Sequence, residues 1–298
     1  MIRTVAAVAL LALAAGGASS ASAASLLPNG CERAVDATAD QQHRLLRFAA
    51  VVRETLAASG ARAALISRSG TDLSRFGLRY SHAAIALADG LDTPWAVRQL
   101  YYACAEGRPR LFDQGLAGFV AGSDDVDQGY LSVLLLPDDA ARALATAALD
   151  KPLALGLLNA RYSANAYPFS TEFQNCNQWV AELLAASVTG LHTREDAQAW
   201  LKREGYAPVP VKASGLLMLA GHFVPWLQYR DHPAEQLNAG LVQTSVPDGL
   251  EAFALRLWPT ARRLEFCHGP QGAVWLEGGE RLAAGCVPQP GDRVSALD

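Results

Sequence analysis

The stretch Phe173-Gln174-Asn175-Cys176-Asn177-Gln178-Trp179-Val180-Ala181-Glu182-Leu183-Leu184 opens a helix on a cysteine. Asn175 is a good N-cap, because its side-chain oxygen accepts a hydrogen bond from a first-turn amide. Cys176 then falls in the first turn, where free N–H groups and the helix dipole favour a thiolate and lower its pKa. Trp179, Val180 and Leu183 follow Cys176 by three, four and seven residues, so they share its face and turn the thiol inward. A cysteine on an apolar helix face is often only a small buried hydrophobe. Reading it as a nucleophile requires a base.

Arg79-Tyr80-Ser81-His82-Ala83-Ala84-Ile85-Ala86-Leu87 supplies the candidate. His82 stands at the start of a strand otherwise built of small apolar residues. A helix packed on that sheet brings the thiol to the imidazole, and the two in contact make an activated nucleophile and its general base. Around them the pattern reads as a helix over 40–58, a short strand over 63–66 and a loop over 67–79. Strands over 80–88 and 95–103 follow, joined by the hairpin signal Ala88-Asp89-Gly90-Leu91-Asp92. A short helix over 114–121, a strand over 130–136, and helices over 138–149, 176–187 and 193–203 complete the first part. The order predicts an α+β layer arrangement. Residues 159–174 form a polar and aromatic stretch without periodicity, and loops of that length in compact domains are often functional.

The order of a histidine on a strand, a second strand, then Asn-Cys opening an amphipathic helix resembles the permuted branch of the NlpC-type papain-like hydrolases. The resemblance covers roughly Ala63 to Ser187. It implies an antiparallel sheet packed against helices, with Cys176 as nucleophile and His82 as base. The whole chain also resembles an uncharacterised family of exported bacterial proteins, through Ser67 to Leu87 and Asp231-His232-Pro233; that likeness brings no activity with it. The permuted hydrolases carry a third polar residue on the strand after the histidine. Here that strand holds no histidine or carboxylate, and Gln99 is the candidate to orient the imidazole, since its amide accepts from a ring N–H. An ordinary surface amide is the competing reading. The Cys176 backbone N–H would hold the oxyanion. Tyr162 and Tyr167 are candidates to line a substrate cleft, or to anchor the loop.

Arg3, the apolar run Val5–Ala15 and the small-x-small Ala21-Ser22-Ala23 read as a signal peptide cut after Ala23. The expected location is the periplasm or the cell exterior. The apolar run is shorter than the ~20 residues that span a bilayer, and no later segment is a candidate membrane helix. Cleavage leaves 24 cations against 29 acids, a net charge of −5, which disfavours nucleic acid and anionic surfaces as partners. Export makes the five cysteines readable as pairs with one left over. Cys267 and Cys286 bracket a Gly-rich hairpin and form the natural pair. Cys31 and Cys104 are the second, although other pairings remain open, and Cys176 is then free.

Length and a 51% hydrophobic content allow one large domain, or one with an extension. The expected division is a papain-like domain over 24–205 and a C-terminal extension over 206–298. His222 and His232, ten residues apart, read as separate surface or capping residues, and Asp124, Asp125 and Asp127 as a solvated turn. The reaction expected is thiol attack on an amide or ester carbonyl of a small peptide or acyl substrate, with no metal or organic cofactor. A papain-like binding module without activity, and acyl transfer on lipids, are the alternatives.

Overall fold

The computed structural model describes residues 37–104 and 106–298. The expected signal segment and Cys31 lie outside them. The elements in chain order are α1 (Ala39–Ala58), β1 (Ala63–Arg68), β2 (His82–Leu87), β3 (Ala96–Ala103), β4 (Arg108–Gln114), α2 (Leu116–Ala121), β5 (Gly129–Leu135), α3 (Asp138–Leu149), α4 (Lys151–Gly156), α5 (Cys176–Thr189), α6 (Arg194–Arg203), β6 (Val209–Lys212), α7 (Gly215–Gly221), α8 (Ala234–Asn238), β7 (Leu241–Thr244), α9 (Pro247–Leu257), β8 (Arg262–Gly269), β9 (Gly272–Glu277) and β10 (Arg293–Ser295).

The protein is mixed α and β, with a large antiparallel sheet packed against helices. Eight strands run in the order β10-β9-β8-β5-β1-β2-β3-β4, and a separate ribbon pairs β6 with β7. Every ladder in the large sheet is antiparallel. The residues beyond Gly205, expected as an extension, give β8, β9 and β10 to this sheet, with β8 paired to β5. The strand over 108–114 carries no clean alternation in Arg108-Pro109-Arg110-Leu111, and pairing with β3 alone makes it an edge.

Helices cover both faces, so β1 is buried along its whole length and shows no alternation. Ala63, Leu65, Ala83 and Ile85 face a core shared with α3, α5 and α9. Ala64, Ile66, Ala84 and Ala86 face a second core shared with α1 and α2. This period of two assigns each strand residue a face. Among the described residues no helix is long and apolar enough to cross a membrane.

α5 is buried from Cys176 through Ala186, on every side rather than on one face. The sequence pattern predicts an amphipathic helix, but α3, α6 and the sheet enclose it. Asn177, Gln178 and Glu182 are therefore buried polar groups that must find partners.

Candidate active site

The first turn of α5 is built as expected: Asn175 Oδ1 accepts the Gln178 amide at 2.7 Å. The Asn175 side-chain amide also donates to the Ala164 carbonyl at 3.1 Å and to Thr244 Oγ1 at 3.0 Å. The cap thus ties the helix start to the loop before it and to β7.

The following residue, Asn177, makes the link to the sheet. β2 and β3 pair through Ile85–Leu87 and Ala96–Arg98. The Ala83 amide and the Ser81 carbonyl turn toward the side of β3, where the ladder does not reach, while the Ser81 amide donates to the Arg68 carbonyl on β1 at 3.2 Å. Asn177 fills that place. Its Oδ1 accepts the Ala83 amide at 2.7 Å, and its Nδ2 donates to the Ser81 carbonyl at 3.2 Å and the Ser245 carbonyl at 3.0 Å. A primary amide offers the acceptor and donor that a neighbouring peptide would. The side chain therefore stands in for β3 on either side of His82.

The thiol arrives with it. The amides of Asn177, Cys176 and Ala83 all act on Cys176, so the sulfur lies at the seam between β2 and β3. Cys176 is 7% exposed and is the one free cysteine among the described residues. The expectation that the helix start lowers its pKa is corrected here. Burial dominates and pushes the thiol up to about 11, against the lowering by those amides and by Arg68.

His82 and Gln99 are brought together. His82 Nε2 lies 2.5 Å from Gln99 Oε1, a diagonal pair across β2 and β3 on one face. With Nε2–H donated to that oxygen, the lone pair of the ring is on Nδ1. The ring packs against Phe119 of α2 at 5.9 Å between centroids. Burial, with Arg68 as second cause, holds the imidazole down at about 3, and the Gln99 bond only partly opposes this. Arg68 pairs with His82 across β1 and β2 and lies over the Phe119 ring at 5.4 Å. Cys176 reaches the seam from the α5 face, while His82 leaves it on the α2 face. Among the described residues no hydrogen bond joins thiol and imidazole.

His82 is fixed from upstream as well. Tyr80 is buried and its hydroxyl donates to Glu265 of β8, which also accepts from Arg79 at 2.9 Å. The loop before α5 is held by Glu182. This buried carboxylate takes two bonds from Arg194, at 2.9 and 3.1 Å, one from Gln174 at 2.5 Å and one from Gln198 at 2.7 Å. Arg194 also donates to the Thr171 and Phe173 carbonyls.

The two candidate cleft tyrosines separate. Tyr162 stacks on Tyr102 at 4.8 Å and lies close enough to Cys176 for the thiolate to add to the burial that raises its phenol well above the ordinary range. Tyr167 packs instead against His232 at 5.6 Å, and its amide donates to Asp231 at 2.8 Å. His232 Nε2 meets the Asn165 carbonyl at 2.8 Å, a capping role within the loop. Cys267 and Cys286 form the expected disulfide, with Cα atoms 5.7 Å apart. Cys104 is also disulfide-bonded.

Sequence reasoning missed Asn177 and Arg68. The signal was present: four polar residues, Gln174, Asn175, Asn177 and Gln178, flank one cysteine at the start of a largely apolar helix, and an arginine ends an apolar strand. Such residues stay buried only with specific partners.

Fold and site define an α+β protein in which a buried helix delivers a free thiol to a seam in an antiparallel sheet, one residue from a histidine. The chain belongs to a bacterial family described as "Uncharacterized protein conserved in bacteria" (DUF2145), whose model matches residues 55–254. That span holds Arg68, His82, Gln99, Cys176 and Asn177, and ends before the disulfide. No curated protein and no solved structure matches the chain.

Proposed function

We propose that this protein is a papain-like thiol hydrolase of the permuted NlpC type, acting on an amide or ester through Cys176 and His82. The observation that carries the reading is the Asn177 clamp. It seats the Cys176 sulfur at the Ala83 amide, next to a histidine whose Nε2 is already engaged by Gln99. That engagement leaves Nδ1 as the proton acceptor.

In the reaction, the Cys176 proton passes to His82 Nδ1 and the thiolate attacks the carbonyl carbon. The Cys176 backbone N–H stabilises the oxyanion. The imidazolium returns its proton to the departing amine or alcohol, and water then cleaves the thioester. With the thiol at about 11 and the imidazole at about 3, the resting pair is neutral. Ionisation follows substrate entry, which must open the seam and bring the ring and sulfur together. Small peptides, cell-wall peptides among them, and acyl esters are the substrate classes. The disulfides at Cys267–Cys286 and Cys104 support an oxidising compartment, in keeping with export through the N-terminal signal.

A second reading, a binding module without activity, is favoured by the closure of the thiol. Two surface cavities, of about 480 and 630 Å³, are lined by other residues. The test is hydrolysis of peptidoglycan fragments, peptide amides and acyl esters by the purified protein. Cys176→Ala and His82→Ala should each abolish turnover with circular dichroism unchanged. Activity surviving in Cys176→Ala removes the thiol from the mechanism. Inactivity of the unaltered protein across the screen favours the binding module.

A further inference from the structure

Arg68 ends the apolar strand β1 and stays inside, with 7% of the residue exposed. An arginine keeps its charge in the interior, and holding one there is costly unless the surroundings are built for it. Here they are. Arg68 stands opposite His82 in the β1–β2 ladder. Ala64, Ile66, Ala84 and Ala86 face the α2 side, so the period of two puts the Arg68 and His82 side chains on that side as well. Both rest on one ring. The guanidinium lies over Phe119 at 5.4 Å, and the imidazole packs on it at 5.9 Å.

Two glycines make the room. A Cβ at Gly122 would come within 2.6 Å of Arg68 Nη2, and one at Gly70 within 3.1 Å of Nη1. Gly122 has φ −79° and ψ 19°, a conformation open to other residues, so space rather than backbone freedom calls for glycine there. The Gly70 amide donates to Ser81 Oγ at 3.0 Å, which ties the same cradle to the residue before His82. The cation so placed acts on both members of the pair: it opposes a proton on His82 and favours loss of one from Cys176. The side chains that meet the pair from β3 and from the loop before α5, Gln99 and Tyr162, are uncharged at neutral pH.

We propose that Arg68 is the charged third member of the site, whose guanidinium holds the anion formed on Cys176 and drives the proton off His82. The inference rests on the reading of those two residues as nucleophile and base. Arg68 acts through them and is a positioning residue. In that reading the Sγ–H bond breaks and an Nδ1–H bond forms, which leaves a negative sulfur and a positive ring. A fixed cation beside them stabilises the first and destabilises the second. The sulfur anion is therefore held while it attacks the carbonyl carbon. The imidazolium is a stronger acid toward the departing amine or alcohol, to which the Nδ1 proton goes.

The test follows both groups in the full chain without substrate. Nuclear magnetic resonance of the imidazole nitrogens reads His82, and iodoacetamide alkylation across pH reads Cys176. Arg68→Met should raise both midpoints by about one pH unit, the effect of one neighbouring charge. Alkylation at a fixed pH below the midpoint then slows about tenfold. Arg68→Lys should restore most of each. A His82 midpoint that rises while that of Cys176 falls overturns the proposal, because the imidazolium is then the partner of the thiolate and Arg68 only suppresses it. Either midpoint unmoved in Arg68→Met, with circular dichroism unchanged, makes the guanidinium a packing piece and overturns it too. If Arg68→Met does not fold, Gly122→Ala decides. It keeps the charge but pushes the guanidinium aside, so both midpoints should rise by less, and no movement of either overturns the proposal. Inactivity of the unaltered protein in the hydrolysis screen removes the hydrolase reading and leaves these midpoints as they are, so the two failures are distinct.

Discussion

Asn177 Oδ1 accepts the Ala83 amide at 2.7 Å, so a side chain on a helix completes the edge of a strand. The Ala83 amide and the Ser81 carbonyl have this one amide as their partner, and the Ser245 carbonyl shares it with the Asn175 side chain. A buried group left unpaired costs about 1–3 kcal/mol. Asn177→Ala is expected to lower unfolding free energy by about 3 kcal/mol in urea titration, with water recovering part of the loss. Asn177→Asp keeps the acceptor for Ala83 and loses both donors, so it should also destabilise. A loss under ~0.5 kcal/mol for Asn177→Ala, the range of unremarkable surface changes, would show that the clamp is ornamental.

The neutral resting pair sets how Cys176 reacts. A thiol pushed up to about 11 by burial is almost wholly protonated at neutral pH, and only the thiolate alkylates. Iodoacetamide is expected to label Cys176 slowly in the native protein, with a midpoint above the ~8.5 of a free thiol. Denaturation should make labelling fast. A native midpoint below that of a free thiol would mean that an ion pair with His82 already exists at rest.

Acid should unfold this protein through histidines held in the neutral form. His82 is held at about 3 and His268 at about 4, both chiefly by burial, against an ordinary value of 6.5. As pH falls below 6.5, the unfolded chain takes up protons that the folded chain refuses. Stability therefore falls with falling pH, by about 1.4 kcal/mol per pH unit for each histidine. The His268 contribution levels off near 4 and that of His82 near 3. Urea midpoints measured from neutral pH downward should show this slope, and His82→Gln should reduce it. An identical slope in His82→Gln would take His82 out of the acid response.

The parts of this molecule that the sequence disclosed are those governed by local rules. Asn175 announces a helix start, and the short apolar run His82–Leu87 before a hairpin signal announces a strand. The Cys267–Cys286 hairpin follows from turn residues and spacing. What escaped is set by distant partners. The edge strand β4 has no pattern of its own and is a strand only because β3 lies beside it. The polar residues of α5 look like a solvated face until α3 and α6 are seen to cover them. The thiol's pKa was misjudged for the same reason: the helix start is local and burial is not.

Glu182 and Arg194 tie that covering to the site. Both are buried, and breaking such a pair leaves a lone charge in the interior, at a cost of about 3–5 kcal/mol. Arg194→Met is expected to destabilise by that order and to free the Thr171 and Phe173 carbonyls it holds. Hydrogen exchange should then rise across the loop before α5. A stable variant with unchanged exchange would separate the ion pair from the loop.

Gln99 offers the sharpest probe of His82, because it touches the imidazole without touching the thiol chemistry directly. An amide oxygen orients the ring but carries no charge, and it cannot offset burial and Arg68. Gln99→Glu puts a carboxylate where Oε1 now lies 2.5 Å from Nε2. A nearby opposite charge favours the protonated ring, so the His82 pKa should rise by about one unit or more. Nuclear magnetic resonance of the imidazole nitrogens across a pH titration reads this directly, and needs no substrate. In the unaltered protein His82 should titrate well below the ordinary histidine value of 6.5. In Gln99→Glu it should move up toward that value, while Gln99→Leu should leave it low and loosen the ring. If the hydrolase reading holds, the acid limb of the pH–rate profile should move with the resonance in Gln99→Glu. A His82 that titrates normally in the unaltered protein would mean that solvent reaches the ring, and the closed, neutral pair would have to be abandoned.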